Sequence, residues 1–425
     1  MPAITTPESL RGARMYDPKR IYGQTGVDWE MRIDFDGLRK KRLDRIRQTM
    51  KARGLGALLY FQHYGIRYVT GTYGGMWQTF DKAFRYCLLP ADGDPVIFEV
   101  PGVDLICQRS GAPWISDWRP AIIWRGSGAE KTMMAKKFAA EIKAVLKKHG
   151  VAEEKVGIDS VDFDGYQALV DAGIHLADGT TALWDAALLK FPEELELLKQ
   201  ACAIQDAAFH EVKQAIHPGL KEVELKGIIT KTLYSLGAER IEQVTMASGG
   251  RTNPFWRSGS TDKIIRYGDM ILIDICYQYG GYNTCYYRNF VCGKPNRGQK
   301  EAYRKTYDTI YAAINAIRPG VTTAQIARMW KDMGLGYTDD AYGSVSLLQF
   351  AHGLGITNHE PPFVTMAYSE EYPATYQKDM YIAVETYAET PDGREAARLE
   401  ENFVVTDDGV QVFSLYPFED ELLDG

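Results

Sequence analysis

The sequence predicts an α/β fold in two domains, on three observations. The chain has 425 residues, more than one ordinary domain holds. Its 45% hydrophobic and 25% charged residues are the mix of a core-forming globular chain. Helical and strand-like patterns alternate through the first half, as in layered α/β domains. Disorder and collagen-like repeats are excluded. No apolar run approaches the roughly 18–20 residues needed to span a bilayer. The opening stretch MPAITTPESLRGARMYDPKR has no apolar segment like a signal peptide, so a cytoplasmic location is expected. A net charge of −7 argues against nucleic acid as the main partner, because neutralising a phosphate backbone needs a basic face. Aromatic residues are unusually frequent at 12%, with 26 Tyr, 16 Phe and 8 Trp, and a large core accounts for many of them.

The elements follow in order. Residues 36–55 read as an amphipathic helix with Leu38, Leu43, Ile46 and Met50 on its apolar stripe. Strand-like runs follow at 57–61, 86–89 and 95–100. Residues 130–149 form a second helix, stopped by Gly150, and 155–160 another strand. The pattern changes near residue 187. There Phe191-Pro192-Glu193-Glu194 starts a long helix, with proline in the first turn and acids at the positive end of the helix dipole, running to about Ile216. This places a boundary near 187–190 and gives domains 1–187 and 188–425.

The second half contains a weak internal repeat. Ala215-Ile216-His217-Pro218-Gly219-Leu220 is echoed 101 residues later by Ala316-Ile317-Arg318-Pro319-Gly320-Val321. Both follow a long helix and precede another, with Leu225 matched by Ile326. Pro-Gly after a helix also arises by chance. Read as a repeat, it implies a pseudo-twofold domain with a site between its halves.

Cysteine and histidine are scarce. Cys87, Cys107, Cys202, Cys276, Cys285 and Cys292 form no CxxC pair, which argues against a disulfide framework or a zinc ribbon. Of seven histidines, only His352 and His359 stand in a Gly/Pro-rich, chemically suggestive setting.

Four segments carry the chemistry. An apolar strand, 268–274, is expected to end on Asp274 and so to set a carboxylate at a strand tip. The second segment is Gly281-Tyr282-Asn283-Thr284-Cys285-Tyr286-Tyr287-Arg288. The third is His352-Gly353-Leu354-Gly355-Ile356 with His359-Glu360-Pro361-Pro362. The fourth is a pair of acids in β-rich runs, Glu385 and Glu400, where a charge needs a partner. Each has a structural alternative: a turn cap for Asp274, a satisfied core histidine for His352, buried arginine partners for the glutamates, a turn for Gly353 and Gly355. Jointly, carboxylates and an imidazole are the ligands of a divalent metal such as Mn, Fe, Co or Zn.

The chain resembles the creatinase/aminopeptidase P/methionine aminopeptidase superfamily, whose catalytic domain has the pita-bread fold. RLDRIRQTMKARGLGALLYFQHYGIRYVTG resembles its N-terminal domain, and LLKFPEELELLKQACAIQDAA the first helix of its catalytic domain. GDMILIDICYQYGGYNTCYYRNF, HGLGITNHEPP, VETYAET and RLEENFVVTDDG resemble its site motifs in order and spacing. The resemblance implies a creatinase-like α/β domain before a pita-bread domain. MASGGRTNPFW and the ending Tyr416-Pro417-Phe418 resemble the dimethylsulfoniopropionate lyase branch. Peptidase members usually carry a histidine in the lead-in to the site strand, and none occurs here between His217 and His352.

The resemblance implies a ligand set of Asp274, Cys285, His352, Glu385 and Glu400. Cys285 stands where the family has its second, bridging aspartate, and a thiolate is a softer ligand that does not bridge as a carboxylate does. This argues against a dinuclear centre and leaves one divalent metal (Zn, Fe or Mn) or none. His359 is the expected general acid/base, with Glu385 and Glu400 as proton-exchanging carboxylates. Arg398 is the expected partner of a site glutamate, and Arg288 a candidate for holding a substrate carboxylate. In creatinase-like homodimers the N-terminal domain of one subunit reaches its partner's site. By that resemblance Tyr73, Trp77, Phe80 and Arg85 are candidates for substrate contact, with Trp256, Tyr282 and Tyr286. They would form an aromatic box for a cationic or aromatic small molecule, or belong to core and dimer packing. The expected activity is that of a lyase cleaving a C–S or C–C bond, with formaldehyde release from an aromatic alcohol as one version. A creatinase-type C–N hydrolase, a metal-dependent Xaa-Pro peptidase and an inactive binding module are the alternatives.

Overall fold

Helix α1 (Phe35–Ala52) buries Leu38, Ile46 and Met50 on one stripe, as its spacing predicts. Arg42 joins them, its guanidinium lying 5.5 Å over the Tyr68 ring, while Leu43 is only half-buried. The computed structural model describes residues 32–74, 82–253, 259–333 and 349–423. They fall into two compact units, Phe35–Ala187 and the chain from Leu188 onward.

In the first unit α1 is followed by β1 (Leu55–Tyr60), α2 (His63–Thr70), β2 (Tyr86–Pro90) and β3 (Val96–Glu99). Then come α3 (Val103–Gly111), β4 (Asp117–Pro120), α4 (Ala129–Lys148), β5 (Lys155–Ile158), α5 (Phe163–Asp171), β6 (His175–Asp178) and α6 (Thr180–Ala187). The strands form one mixed sheet in the order β4-β3-β2-β1-β5-β6, with β1–β5, β5–β6 and β3–β4 parallel. Part of the aromatic surplus sits in its core. Phe61, Tyr86, Trp124 and Phe138 form a buried cluster, with Trp124 stacked on Phe138 at 4.1 Å between centroids.

The second unit opens with α7 (Pro192–Ala215) and α8 (Glu222–Ser235), followed by β7 (Arg240–Ser248), β8 (Met270–Tyr279) and β9 (Tyr282–Val291). After these come α9 (Arg297–Ala316), α10 (Thr323–Asp332), β10 (Gln349–Gly353), β11 (Glu360–Thr365), β12 (Tyr381–Glu389), β13 (Ala396–Val405), β14 (Val410–Val412) and α11 (Asp420–Leu423). The strands form two sheets, β7-β8-β9 and β11-β10-β12-β13-β14. Helices α9 and α10 pack Tyr303, Ile310, Ala313 and Trp330 onto Ile382, Val384, Leu399 and Phe403.

The internal repeat has a structural counterpart in each half. Helices α7 and α9 both stop at an isoleucine in extended conformation, Ile216 and Ile317. Gly219 and Gly320 then take φ of 98° and 91°, in the left-handed region that suits glycine. Each glycine N–H donates to a later segment next to an isolated β-bridge, Gly219 to the Ile265 carbonyl and Gly320 to that of Tyr376. Ile265 and Tyr376 donate back to Leu220 and Val321. Matching hydrogen bonds in matching order are not expected of two chance Pro-Gly dipeptides.

One expectation is corrected. Asp274 does not end its strand; β8 runs on through Ile-Cys-Tyr-Gln-Tyr to Tyr279. The reason is burial on both faces, which makes a strand read as one continuous apolar run and lets β-branched and aromatic residues extend it past the acid. Among the described residues no helix is long and apolar enough to cross a membrane.

Candidate active site

Two hairpins supply the site. Strands β8 and β9 are joined by Gly280-Gly281, with φ of 58° and 85°, the glycine pair that a two-residue hairpin turn favours. Counting back from that turn sets Cys276 opposite Cys285 and Asp274 opposite Tyr287. Residues two apart on a strand share a face, so Asp274, Cys276 and Cys285 project together. Their Oδ and Sγ atoms lie within 4.8 Å of one another. The two Sγ atoms are 3.0 Å apart, and the Cys276 Sγ is 3.4 Å from each Asp274 oxygen. The Cys285 Sγ lies 3.5 Å from Asp274 Oδ1 and 3.9 Å from Glu400 Oε2.

The second hairpin pairs β12 with β13 so that Glu385 stands directly opposite Glu400. Like charges in that position repel. Arg398, two residues before Glu400, answers Glu385: its Nε donates to Oε2 at 3.2 Å and its Nη2 donates to the same oxygen. Its guanidinium also lies 4.6 Å over the Tyr287 ring. The hairpins are joined along β9 and β13. Asn402 Nδ2 donates to the Cys285 carbonyl at 2.6 Å, the Arg398 N–H to Asn289 Oδ1 at 2.9 Å, and Arg288 Nη1 to the Glu400 carbonyl at 2.7 Å. This seam brings Asp274 and Cys285 against Glu400.

The histidines arrive from a third direction. His352 on β10 is buried, and its Nδ1 pairs with the Gly353 carbonyl at 2.9 Å. A carbonyl only accepts, so Nδ1 carries the proton and Nε2 presents a lone pair. That Nε2 lies 3.7 Å from Glu400 Oε1. His359 is exposed, its ring centroid 4.4 Å from that of His352. A buried ion pair holds its loop: Lys190 Nζ donates to Glu360 Oε2 at 2.8 Å, while Glu360 Oε1 accepts from the Thr357 N–H at 2.9 Å. Thr357 Oγ1 in turn donates to the His359 carbonyl at 3.0 Å. Gly353 is required by close approach, since a Cβ there would run into the Pro361 carbonyl.

Burial governs the electrostatics. Asp274, Glu385 and Glu400 are all buried, with Arg398 as their nearby guanidinium. Burial, and then the Glu385 charge, push Asp274 up to about 6. Burial followed by the charges of Glu385 and Asp274 pushes Glu400 well above the carboxylate range. His352 is pushed down to about 4 by burial and then by His359, and is neutral at neutral pH. Atoms packed round the His359 ring lower it too, against the pull of Glu385.

These residues fit a cation. Glu400 Oε1 is fully buried and has no hydrogen-bond partner among the described residues. It faces the His352 lone pair at 3.7 Å, too far for a hydrogen bond between them. A divalent ion there would also offset the buried negative charge. Glu385 is differently placed, because its Oε2 is committed to Arg398.

The expected substrate contacts fare differently. Arg288 is buried and ties the core: Nη2 reaches both Glu401 oxygens at 3.2 Å, and Nε donates to the Tyr416 carbonyl. Tyr282 and Tyr286 are also fully buried, donating to Glu194 and Asp206. In all three, neighbouring protein groups engage the polar atoms that were expected to face substrate. Arg85 lies inside the first unit, paired with Glu99 at 2.6 Å and donating to Thr72 Oγ1. Tyr73 is 37% exposed, with the Arg67 guanidinium 5.1 Å over its ring. Trp77, Phe80 and Trp256 lie outside the described residues. Sequence reasoning gave Cys276 no role and missed the Lys190–Glu360 pair. The Gly280-Gly281 turn held the signal for Cys276, because its register pairs 276 with 285.

Residues 196–407 match metallopeptidase family M24, and residues 42–185 match the creatinase/prolidase N-terminal domain. The chain is 24% identical over 412 residues to the dimethylsulfoniopropionate lyase DddP of Roseovarius nubinhibens, covering 92% of this chain and 88% of that one. It is 28% identical over 228 residues to the Xaa-Pro dipeptidase of Pyrococcus furiosus, covering 53% and 63%. The fold is similar to that of an Xaa-Pro dipeptidase from Bacillus anthracis, with a TM-score of 0.72 and 21% identity over 90% of this chain and 99% of that one. Hairpins, repeat and matched residues agree: the chain belongs to metallopeptidase family M24, with a creatinase-like N-terminal domain and a pita-bread C-terminal domain.

Proposed function

We propose that this protein is a small-molecule lyase rather than a peptidase. One observation carries the reading: a cysteine, Cys285, occupies the position of the carboxylate that would bridge two metals, with its Sγ 3.5 Å from Asp274. Without that carboxylate, a pair of metals activating a water would lack one of its shared ligands. What remains suits proton transfer. His359 is within reach of solvent and beside His352, over buried carboxylates. A bound divalent cation, held with Asp274, Cys285 and Glu400 among its ligands, would supply charge stabilisation for a developing anion.

In the C–S version the base removes a proton from carbon, the electron pair forms a C=C bond, and the C–S bond breaks with a neutral sulfide leaving. In the C–C version the base takes the proton of a primary alcohol, formaldehyde departs, and the carbon left with the pair takes a proton. The similarity to the lyase DddP over most of the chain supports the first. The resemblance to creatinase-like enzymes supports a homodimer, with a cationic or aromatic small molecule as the substrate class. One observation favours a second reading, an Xaa-Pro peptidase: the similarity to a dipeptidase across the catalytic domain.

The test is incubation with sulfonium, betaine and phenolic-alcohol substrates, with product mass detection and formaldehyde trapping. Release of a sulfide or of formaldehyde at ordinary enzymatic rates, on the order of 1 s⁻¹ or more, is expected. Hydrolysis of an Xaa-Pro dipeptide at such rates overturns the lyase reading. An unchanged rate in His359→Ala and Glu385→Gln removes the roles given to those residues.

A further inference from the structure

We propose that Cys276 is a metal ligand, and that Cys276 and Cys285 clamp a single borderline-soft divalent cation of the zinc class, with Asp274 and Glu400 completing the site. The hairpin register sets the two cysteines directly opposite each other, with their Sγ atoms 3.0 Å apart. Both thiols are buried, at 5% and 4% exposure, and both contact the Asp274 carboxylate. The independent observation is Glu400. It is fully buried, its Oε2 is 3.9 Å from the Cys285 Sγ, and its Oε1 has no hydrogen-bond partner among the described residues. Four donors, two sulfur and two oxygen, therefore converge from β8, β9 and β13. The third acid, Glu385, has its Oε2 committed to Arg398.

Two thiolates and two carboxylates suit one four-coordinate ion. They do not suit a pair of hard ions sharing bridging carboxylates, and thiolate ligands select zinc over manganese or magnesium. The balance is simple: each thiol loses its proton when its sulfur binds, so loading releases at least two protons per ion. No oxidant or reductant takes part. The proposal concerns this site's cation and needs no particular reaction, so its failure and that of the lyase reading are distinguishable.

The test is titration of chelator-treated, reduced protein with Co²⁺, followed by displacement with Zn²⁺. One equivalent per chain is expected, with a sulfur-to-cobalt charge-transfer band and tetrahedral d–d absorption. Binding of Zn²⁺ should exceed that of Mn²⁺ by at least tenfold. In Cys276→Ser the charge-transfer intensity should fall by about half and Zn²⁺ affinity by at least tenfold, with the melting curve confirming a folded chain. Cadmium NMR of the unsubstituted protein counts sulfur ligands without any variant, and two are expected. Absence of the charge-transfer band, one sulfur or none by cadmium NMR, or two tightly held Mn²⁺ per chain would overturn the proposal. So would a Cys276–Cys285 disulfide that persists in reductant and is seen as the loss of two hydrogens by mass.

Discussion

Lys190→Met tests how the His359 loop is held. Both side chains of the Lys190–Glu360 pair are 3% exposed, and the Nζ–Oε2 distance is 2.8 Å. Removing the lysine leaves the Glu360 carboxylate buried without its cation, a change that costs about 3–5 kcal/mol. For a domain of this size that corresponds to a fall in melting midpoint of roughly 6–20 °C. Glu360→Gln in the same chain removes the stranded charge while its amide oxygen still accepts from Thr357. The double variant should therefore regain more than half of the loss. Calorimetric unfolding of wild type, both single variants and the double variant closes the cycle. A loss below about 1 kcal/mol in Lys190→Met, or losses that add instead of cancelling, would refute the reasoning from a buried, mutually dependent pair.

Three further outcomes are expected. His359→Ala should lower turnover by about 10²–10⁴ while leaving the melting midpoint in place, because the ring is exposed; steady-state kinetics on the substrate found by screening checks this. Gly353→Ala forces a methyl against the Pro361 carbonyl and should cost about 1–3 kcal/mol in denaturant unfolding. Tyr282→Phe removes one donor from the buried Glu194 carboxylate, which keeps the Phe191 N–H, and should cost about 1 kcal/mol with KM unchanged; a raised KM at unchanged stability would return Tyr282 to the substrate pocket.

Much of the second domain was legible because its signals are local. Phe191-Pro192-Glu193-Glu194 marks a helix start by chemistry that needs no tertiary information, and α7 begins at Pro192. The Pro-Gly echo was readable because a helix stop followed by a left-handed glycine recurs in both halves. What was not legible depends on partners far along the chain. Arg288 looks like an anion hook from its neighbours, yet it is spent on Glu401, 113 residues away. Tyr282 and Tyr286 look like a surface box in a tyrosine-rich hairpin, but α7 covers that hairpin and supplies Glu194 and Asp206 as their acceptors. The end of β8 was misplaced at Asp274 because a lone acid in an apolar run reads as a boundary. The fold overrides it by burying the acid among cysteines and carboxylates.

The Gly280-Gly281 turn has a consequence for descent as well as for chemistry. With two residues in the turn, positions 274, 276 and 285 are addressed by the pleat alone. A substitution can put another donor in any of these seats without moving either strand, so hardness, charge and nuclearity are open to drift. A one-residue insertion or deletion in the turn would instead send a whole strand's side chains to the opposite face. Descendants of such a hairpin are free to diverge in reaction but not in spacing. A chain can therefore keep the outline of a peptidase long after its reagents have been exchanged.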